Sequence, residues 1–536
     1  MEEHLELLLL GLVTATAVLA VVARMVQVPY PILLTLGGLF IGFLPGMPEV
    51  ELDPELVLLL FLPPLLYSAA FFSNLRELRA NARAIGQLAI GLVIATTCAV
   101  AAVAHAVIGL DWKVAFVLGA IVSPSDAVAP TTILRRLGVP RRVVTVVEGE
   151  NLTNDWTALV TYKFAVAAVV TGSFSIVEAG PEFVLNGVGG VAIGVAVGVV
   201  VAAVRRRMED PLTEITISLL TAYAAYLPAE ELGVSGVLAA VTTGVWLGWR
   251  ASELTTHTTR LQLTGIWEFL QFVLNAVLFM LVGLQLGVIL DDIDGRSASE
   301  LAGYGALISA VVIFVRIAWV YINTYVPRSL SRRARDRDPL PPWSHTTLVA
   351  WSGMRGAVSL AAALAIPLEL DSGAPFPERD LVIFLAFCVI LVTLVGQGLT
   401  FPALIRALNV EDDGLDQDEE LSARLEIAFA ALDRIDELEG EDWVHPQTVE
   451  CTRNLFDYRR RRFTSRIGAG RDEDSDDEDD DFDYEARADS YREFMAHVYG
   501  AQRQTLRTLR DQGRVTDEVR RRVEYDLDLE EARLSS

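Results

Sequence analysis

From position 5 to about 405 the chain repeats one pattern, an apolar run close to 20 residues followed by a short polar link. A helix rising ~1.5 Å per residue needs about 20 such residues to cross a hydrocarbon core, so each run has the length of a membrane span. Thirteen runs fit, beginning with 5–24 and 29–46 and ending with 346–368 and 380–405. The first, LELLLLGLVTATAVLAVVA, follows Glu2 and Glu3 rather than a basic stretch, and reads as a span and not a signal peptide. Past residue 410 the blocks stop. LEIAFAALDRIDELE and YREFMAHVYGAQRQTLRTLRDQG keep the apolar spacing of surface helices, and the run between them, RDEDSDDEDDDFDYEARAD, is acidic enough to stay unfolded. The expected organisation is an all-α polytopic membrane domain over 1–410 and an acidic helical or disordered tail over 411–536.

Composition agrees. With 52% hydrophobic and only 21% charged residues the chain is not an ordinary soluble enzyme, and a net charge of -25 argues against nucleic acid as a partner. The charge is uneven: from position 411 onward stand 37 acidic and 19 basic residues, about -18 of the total. Cys98, Cys388 and Cys451 are far apart and show no disulfide or metal spacing, and no cofactor is expected. Links rich in arginine, such as Arg135–Arg142 and Arg205–Arg207, alternate with acidic links such as Glu49–Asp53 and Asp291–Asp294. Basic links favour the cytoplasm, so thirteen spans put the amino terminus outside and the tail inside.

Two spans are interrupted. In AFVLGAIVSPSDAVAPTTIL, Pro124 and Pro130 bracket Ser125 and Asp126, and two prolines that close do not sit in an unbroken helix. In LVAWSGMRGAVSLAAALAIPL, Gly353 and Gly356 flank Arg355 in mid-span. If the seventh span is a linker, each interrupted segment is the fifth span of a six-span half, and the halves enter the membrane from opposite sides. That is the pattern of a secondary transporter built from inverted repeats with crossed discontinuous helices. The sixth span, EGENLTNDWTALVTYKFAVAAVV, carries Glu148, Glu150, Asn151, Asn154, Asp155 and Lys163. A charge at membrane depth costs at least ~2.5–3.5 kcal/mol, so such groups need partners or a cavity. Asn151 and Asp155 share one face and Glu150 and Asn154 a neighbouring one, which offers one face to a small cation and the other to Arg355. Single Asn or Ser residues in a bundle often only join helices. Asp126 and Asp155 are costlier to keep and are the candidates for chemistry.

The strings SPSDAVAPTTILRRLGVPRR, EGENLTNDWTALV, GVSGVLAAVTTGVWLG, FLQFVLNAVLFMLVGLQL and GMRGAVSLAAAL resemble the sodium/proton antiporters of the monovalent cation:proton antiporter superfamily, in the bacterial form with a long cytoplasmic tail. The resemblance covers about 5–408. It implies a homodimer of about thirteen spans in a prokaryotic inner membrane, exchanging Na+ or Li+ for H+ in pH homeostasis. It makes Asn154 and Asp155 the pair of the sixth span, with Asp155 holding either cation or proton, and Ser125, Asp126 and Ala127 the stretch at the first break. Asp126 is expected to offset half-helix amino termini and Arg316 to answer the carbonyl ends. Glu150 and Arg355 are expected to form an ion pair.

The chain departs from that pattern in three places. Ala127 stands where a proline follows the first-break aspartate, and Asn151 stands where many members have serine. Ser68 replaces a third-span glutamate that some relatives carry. Asn151, Ser125 and Ser68 are then the remaining oxygen candidates for the cation beside Asp155. An Asn-Asp rather than Asp-Asp pair implies one proton per cation and electroneutral exchange, by alternating access. A K+/H+ antiporter, a passive channel and a membrane ion sensor acting through the tail are the competing readings.

Overall fold

Local signals in the sequence fix where several helices begin. The carboxylate of Asp111 accepts from the Lys113 amide at 2.9 Å, that of Asp210 from the Thr213 amide at 2.9 Å, and the Ser235 hydroxyl from the Leu238 amide at 3.0 Å. Each satisfies an amino-terminal N–H that has no partner inside its own helix. The computed structural model describes residues 2–26, 28–43, 54–172, 176–208, 210–291, 296–330, 340–410, 414–441, 443–469, 484–512, 514 and 517–535. Regular structure among them is helical, apart from one isolated bridge between Glu369 and Pro375. The chain divides into two compact units, 1–412 and 413–536.

In the first unit, besides the short helices Leu75–Ala80 and Ala251–Leu254, the described helices are α1 (Glu2–Val26), α2 (Tyr30–Gly42), α3 (Pro54–Phe71), α4 (Ala82–Ile108), α5 (Trp112–Val122), α6 (Val128–Arg136), α7 (Arg141–Val170), α8 (Ile176–Arg205), α9 (Pro211–Glu231), α10 (Gly236–Trp249), α11 (His257–Asp291), α12 (Ala298–Leu330), α13 (Trp343–Trp351), α14 (Ala357–Leu364) and α15 (Arg379–Ala407). Both expected interruptions are present, between α5 and α6 and between α13 and α14. Five described helical stretches are long and apolar enough to cross a membrane unaided: Ala82–Ile108, Gly180–Arg205, Thr258–Gln285, Ala298–Leu330 and Arg379–Ala407. The 30 residues of α7 reach about 45 Å at ~1.5 Å each, but its polar side chains keep it out of that set.

Burial separates core from periphery. The most apolar window of α15 is 72% buried, against 28% for that of α8, whose Val184, Val188 and Val200 are exposed. Apolar exposure on that scale suits a hydrocarbon solvent. Helices α2 and α11 pack through small residues. A Cβ built on Gly38 would lie 2.2 Å from the Met280 carbonyl oxygen, and one on Gly283 2.1 Å from that of Thr35, so only glycine permits this approach.

The second unit has its own helices, α16 (Leu415–Leu438), α17 (Pro446–Ala469), α18 (Tyr484–Asp511) and α19 (Asp517–Ser535). Arg453 on α17 bonds Asp436 and Glu439 at 2.6 and 2.8 Å, and holds the Glu439 carboxyl below its usual range. Arg503 on α18 pairs with Asp528 and Glu531 of α19. Most of the acidic run expected to be unfolded, residues 471–483, lies outside the described residues. Its last part does not follow the expectation: 484–489 already form the first turns of α18, where acidic residues thin out and helical spacing resumes.

Arg205 also departs from its expected place in a basic link. It is fully buried at the end of α8, with a guanidinium nitrogen 3.7 Å from the equally buried Glu214 of α9, and neither charged group has a hydrogen bond. Removing one member strands the other's charge, which costs roughly 3–5 kcal/mol, whereas replacing both with apolar residues is often neutral. Glu214→Ala is therefore expected to lower thermal stability in detergent by about that amount. Arg205→Met combined with Glu214→Leu should recover most of it. Equal melting of the single and double variants would reject the pairing.

Candidate cation site at the helix crossing

The two interruptions meet backbone to backbone. In the first link the Asp126 amide donates to the Met354 carbonyl of the second at 2.7 Å. Four half-helices of 11, 9, 9 and 8 residues therefore end around one point, each too short to span alone. Their ends carry unpaired N–H and C=O groups, with partial positive charge at amino termini and negative at carboxyl termini.

Charged and polar side chains meet these ends. The Asp126 carboxylate accepts from the Val128 amide at 2.8 Å at the start of α6, and also packs against Gly356 at the start of α14. A Cβ on Gly356 would lie 1.8 Å from Asp126 Oδ2. Asn151 Oδ1 accepts from the Ala127 amide at 3.2 Å. Arg355 Nε donates to the Val122 carbonyl at the end of α5 at 3.1 Å, and a second nitrogen donates to the Gly353 carbonyl. The Arg355 amide donates to Thr393 Oγ1 at 3.0 Å. Thr393 lies on a widened π-helical turn of α15, Val392–Gln397, a local form often found at functional positions.

The ion pair differs from expectation. Glu150 is bonded by Arg316, not Arg355: two guanidinium nitrogens of Arg316 donate to Oε1 and Oε2 at 2.6 and 2.9 Å. Arg316 also donates to the Val349 carbonyl near the end of α13 at 3.1 Å and to Ser352 at 3.3 Å. It thus answers a carbonyl end, as anticipated, and takes the glutamate as well. The physical reason is geometric. From α12 the planar Arg316 fork engages both carboxylate oxygens in parallel, while Arg355, in the link itself, reaches back to the neighbouring half-helix. The expected Glu150–Arg355 pair is corrected to Glu150–Arg316.

Glu150 and Asn154 face this brace. Ser125 donates to Glu150 Oε1 at 2.6 Å, and Asn154 Nδ2 donates to the Ser125 carbonyl at 2.8 Å and to its hydroxyl at 3.1 Å. Asp155 lies on the other face. It is 4% exposed, no protein hydrogen bond engages its carboxylate among the described residues, and it lines a cavity of about 570 Å³ together with Ser125, Asp126 and Asn151. Lys163, at the far end of α7, pairs with Glu230 at 3.0 Å and takes no part.

Ser68 is not among the residues that line the cavity with Asp155. It is fully buried with its hydroxyl donating to the Leu65 carbonyl at 3.0 Å, whereas Leu62, Leu65 and Ala69 of α3 are on the cavity wall. Sequence reasoning missed the contribution of α11. Thr264, Glu268, Gln271 and Asn275 line the same cavity, as does Tyr30 of α2. The signal was available, since these polar positions recur at intervals of four, three and four through an apolar run.

Comparison with known proteins agrees with this architecture. The sodium/hydrogen exchanger transmembrane family model matches residues 11–407. An uncharacterized Na(+)/H(+) exchanger of Mycobacterium tuberculosis is 37% identical, over 98% of this chain and 95% of its own. The sodium, potassium, lithium and rubidium/H(+) antiporter of Bacillus subtilis is 34% identical, over 74% of this chain and 61% of its own. The solved sodium proton antiporter MjNhaP1 of Methanocaldococcus jannaschii shares the fold, with a TM-score of 0.59 at 18% identity over 76% of this chain and 99% of its own. The chain is a multi-pass membrane protein and belongs to the sodium/hydrogen exchanger family of cation:proton antiporters.

Proposed function

We propose that the protein exchanges Na+ for H+ one for one across a prokaryotic inner membrane, with Asp155 as the group that holds either ion. The observation that carries this reading is the state of that carboxylate, which is buried at the helix crossing, open to the cavity and free of protein donors. A carboxylate already bonded to donors would be satisfied; this one is left for an incoming ion. When the cation binds, the Asp155 proton leaves through the cavity, and when the proton returns the cation is released. Exchange is compelled if the protein changes sides only with the carboxylate occupied. Asp126, Arg316 and Arg355 keep the backbone ends compensated throughout, and the Glu150–Arg316–Ser125–Asn154 brace holds α7 in place. Asn151 and Ser125, which line the same cavity, are the oxygen candidates to complete cation coordination, although the Ser125 hydroxyl is shared with the brace.

The same reading has thirteen spans in two inverted halves joined through α8, the amino terminus outside and the acidic unit 413–536 in the cytoplasm, and two chains forming a dimer. The breadth of cations named for the Bacillus relative keeps K+ among the substrates to be measured.

In proteoliposomes the wild-type protein should release protons on addition of Na+ or Li+, at a rate insensitive to an imposed potential, and K+ should be tried alongside. Asp155→Asn should remove this release for every cation. Retained exchange in that variant would falsify the assignment. Gly356→Ala places a methyl group against the Asp126 carboxylate and should reduce turnover at least about tenfold, the effect of some 1.4 kcal/mol or more on the barrier. Unchanged turnover in a well-assembled Gly356→Ala protein would mean that the crossing does not need the close approach.

A further inference from the structure

Besides Asp155, the cavity has a second polar wall that the exchange chemistry does not use. Glu268, Gln271 and Asn275 lie along one face of α11, three and four residues apart, so they stack roughly one turn above another. Their burial is graded: Glu268 is exposed, Gln271 half-buried and Asn275 only 7% exposed. No protein hydrogen bond engages the Asn275 amide among the described residues, although it is more than nine-tenths buried and lines the cavity. Its oxygen and nitrogen are not sealed in protein but face the cavity, where water or a ligand can bond them. An amide held rigidly on a buried helix face yet left unbonded by protein suits a ligand that comes and goes.

We propose that this face of α11 is the cation's approach to the site, with Glu268 concentrating cations at the wide end and the Asn275 oxygen acting as a transient ligand that sets cation preference. The proposal rests on the exchange reading above and names a specificity-determining residue for it. The chemistry fits a small monovalent cation. Carboxylate and amide oxygens are hard donors that replace water around alkali ions, and a ladder of them lets the hydration shell be shed in steps. Glu148 on the same wall is already neutralised by Arg135 at 2.7 Å, whereas no ion pair engages Glu268 among the described residues.

The test uses the full-length protein in proteoliposomes, with Na+, Li+ and K+ measured separately. Asn275→Ala should raise the apparent KM for Na+ and Li+ about three- to tenfold more than that for K+, corresponding to one weakened ligand contact, and change kcat less. Asn275→Ser, which keeps an oxygen, should restore much of the wild-type Na+/K+ ratio. Glu268→Gln should raise KM for all three ions by a similar factor at low ionic strength, an effect that disappears at high salt as charge is screened. An unchanged KM ratio in Asn275→Ala, with exchange otherwise intact, overturns the proposal. If Asn275→Ala does not assemble, Asn275→Leu, similar in size but without an oxygen, decides by the same ratio. If wild-type protein exchanges no cation, the exchange reading itself fails. The role of Asn275 is then read from Na+-dependent thermal stabilisation in detergent, which the variant should lose and a bystander residue would keep.

Discussion

Two helices interrupted at membrane depth impose the constraint that organises the rest of this protein. Every break leaves backbone donors and acceptors where little water can reach them, and in such surroundings each unsatisfied group costs several kcal/mol. The chain answers with side chains. Asp126 takes the amino-terminal ends, Arg316 and Arg355 take the carbonyl ends, and Asn151 and Thr393 bond the remaining amides of the links. Four of the groups involved are ions, two carboxylates in Asp126 and Glu150 and two guanidiniums in Arg316 and Arg355, so this scaffold balances itself. Asp155 then adds a single negative charge to a neutral frame. One proton or one monovalent cation restores neutrality; two together would overshoot it. The one-for-one stoichiometry proposed for the exchange follows from this count more directly than from the Asn-Asp pairing.

The interruptions were legible in the sequence because they are written in residues with strong backbone consequences. Pro124 and Pro130 forbid a continuous helix, and Gly353 and Gly356 weaken one. The partition of α7 into two faces was equally readable, since four-residue spacing places Asn151 with Asp155 and Glu150 with Asn154 whatever the surroundings. Which arginine meets Glu150 was not readable. Arg316 and Arg355 are both buried cations from other segments, and only the spatial path of α12 past the second link puts Arg316 in bidentate range. The place of Ser68 off the cavity wall was not readable for a related reason. Its neighbours in the apolar run give no periodic signal, so nothing in the chain says which side of α3 faces the cavity.

The buried Arg205–Glu214 pair illustrates a different limit. Arg205 heads a run of three arginines that looks like an ordinary cytoplasmic link, yet it alone is turned inward, among Tyr67, Trp267 and the apolar residues around them. A charge pattern reports where a link lies relative to the membrane but not which of its members the fold takes in. Here tertiary context overrides composition, as it does where the acidic run gives way to helix at Tyr484.

The wall of the cavity gives the proposed exchange a way to draw in cations. Among its lining residues the charged ones are Asp126, Arg135, Glu148, Asp155 and Glu268. Asp126 is committed to the half-helix ends and Glu148 to Arg135, which leaves Glu268 at the accessible end and Asp155 within as carboxylates without a cationic partner. A negative group at the mouth and another inside, separated by amide and hydroxyl oxygens, make a potential that falls inward for a cation and repels anions. Under the proposed exchange, selectivity between cations would depend on neutral oxygens such as that of Asn275, because a carboxylate alone attracts every monovalent cation by charge, while discrimination by size requires ligands whose positions the helix fixes.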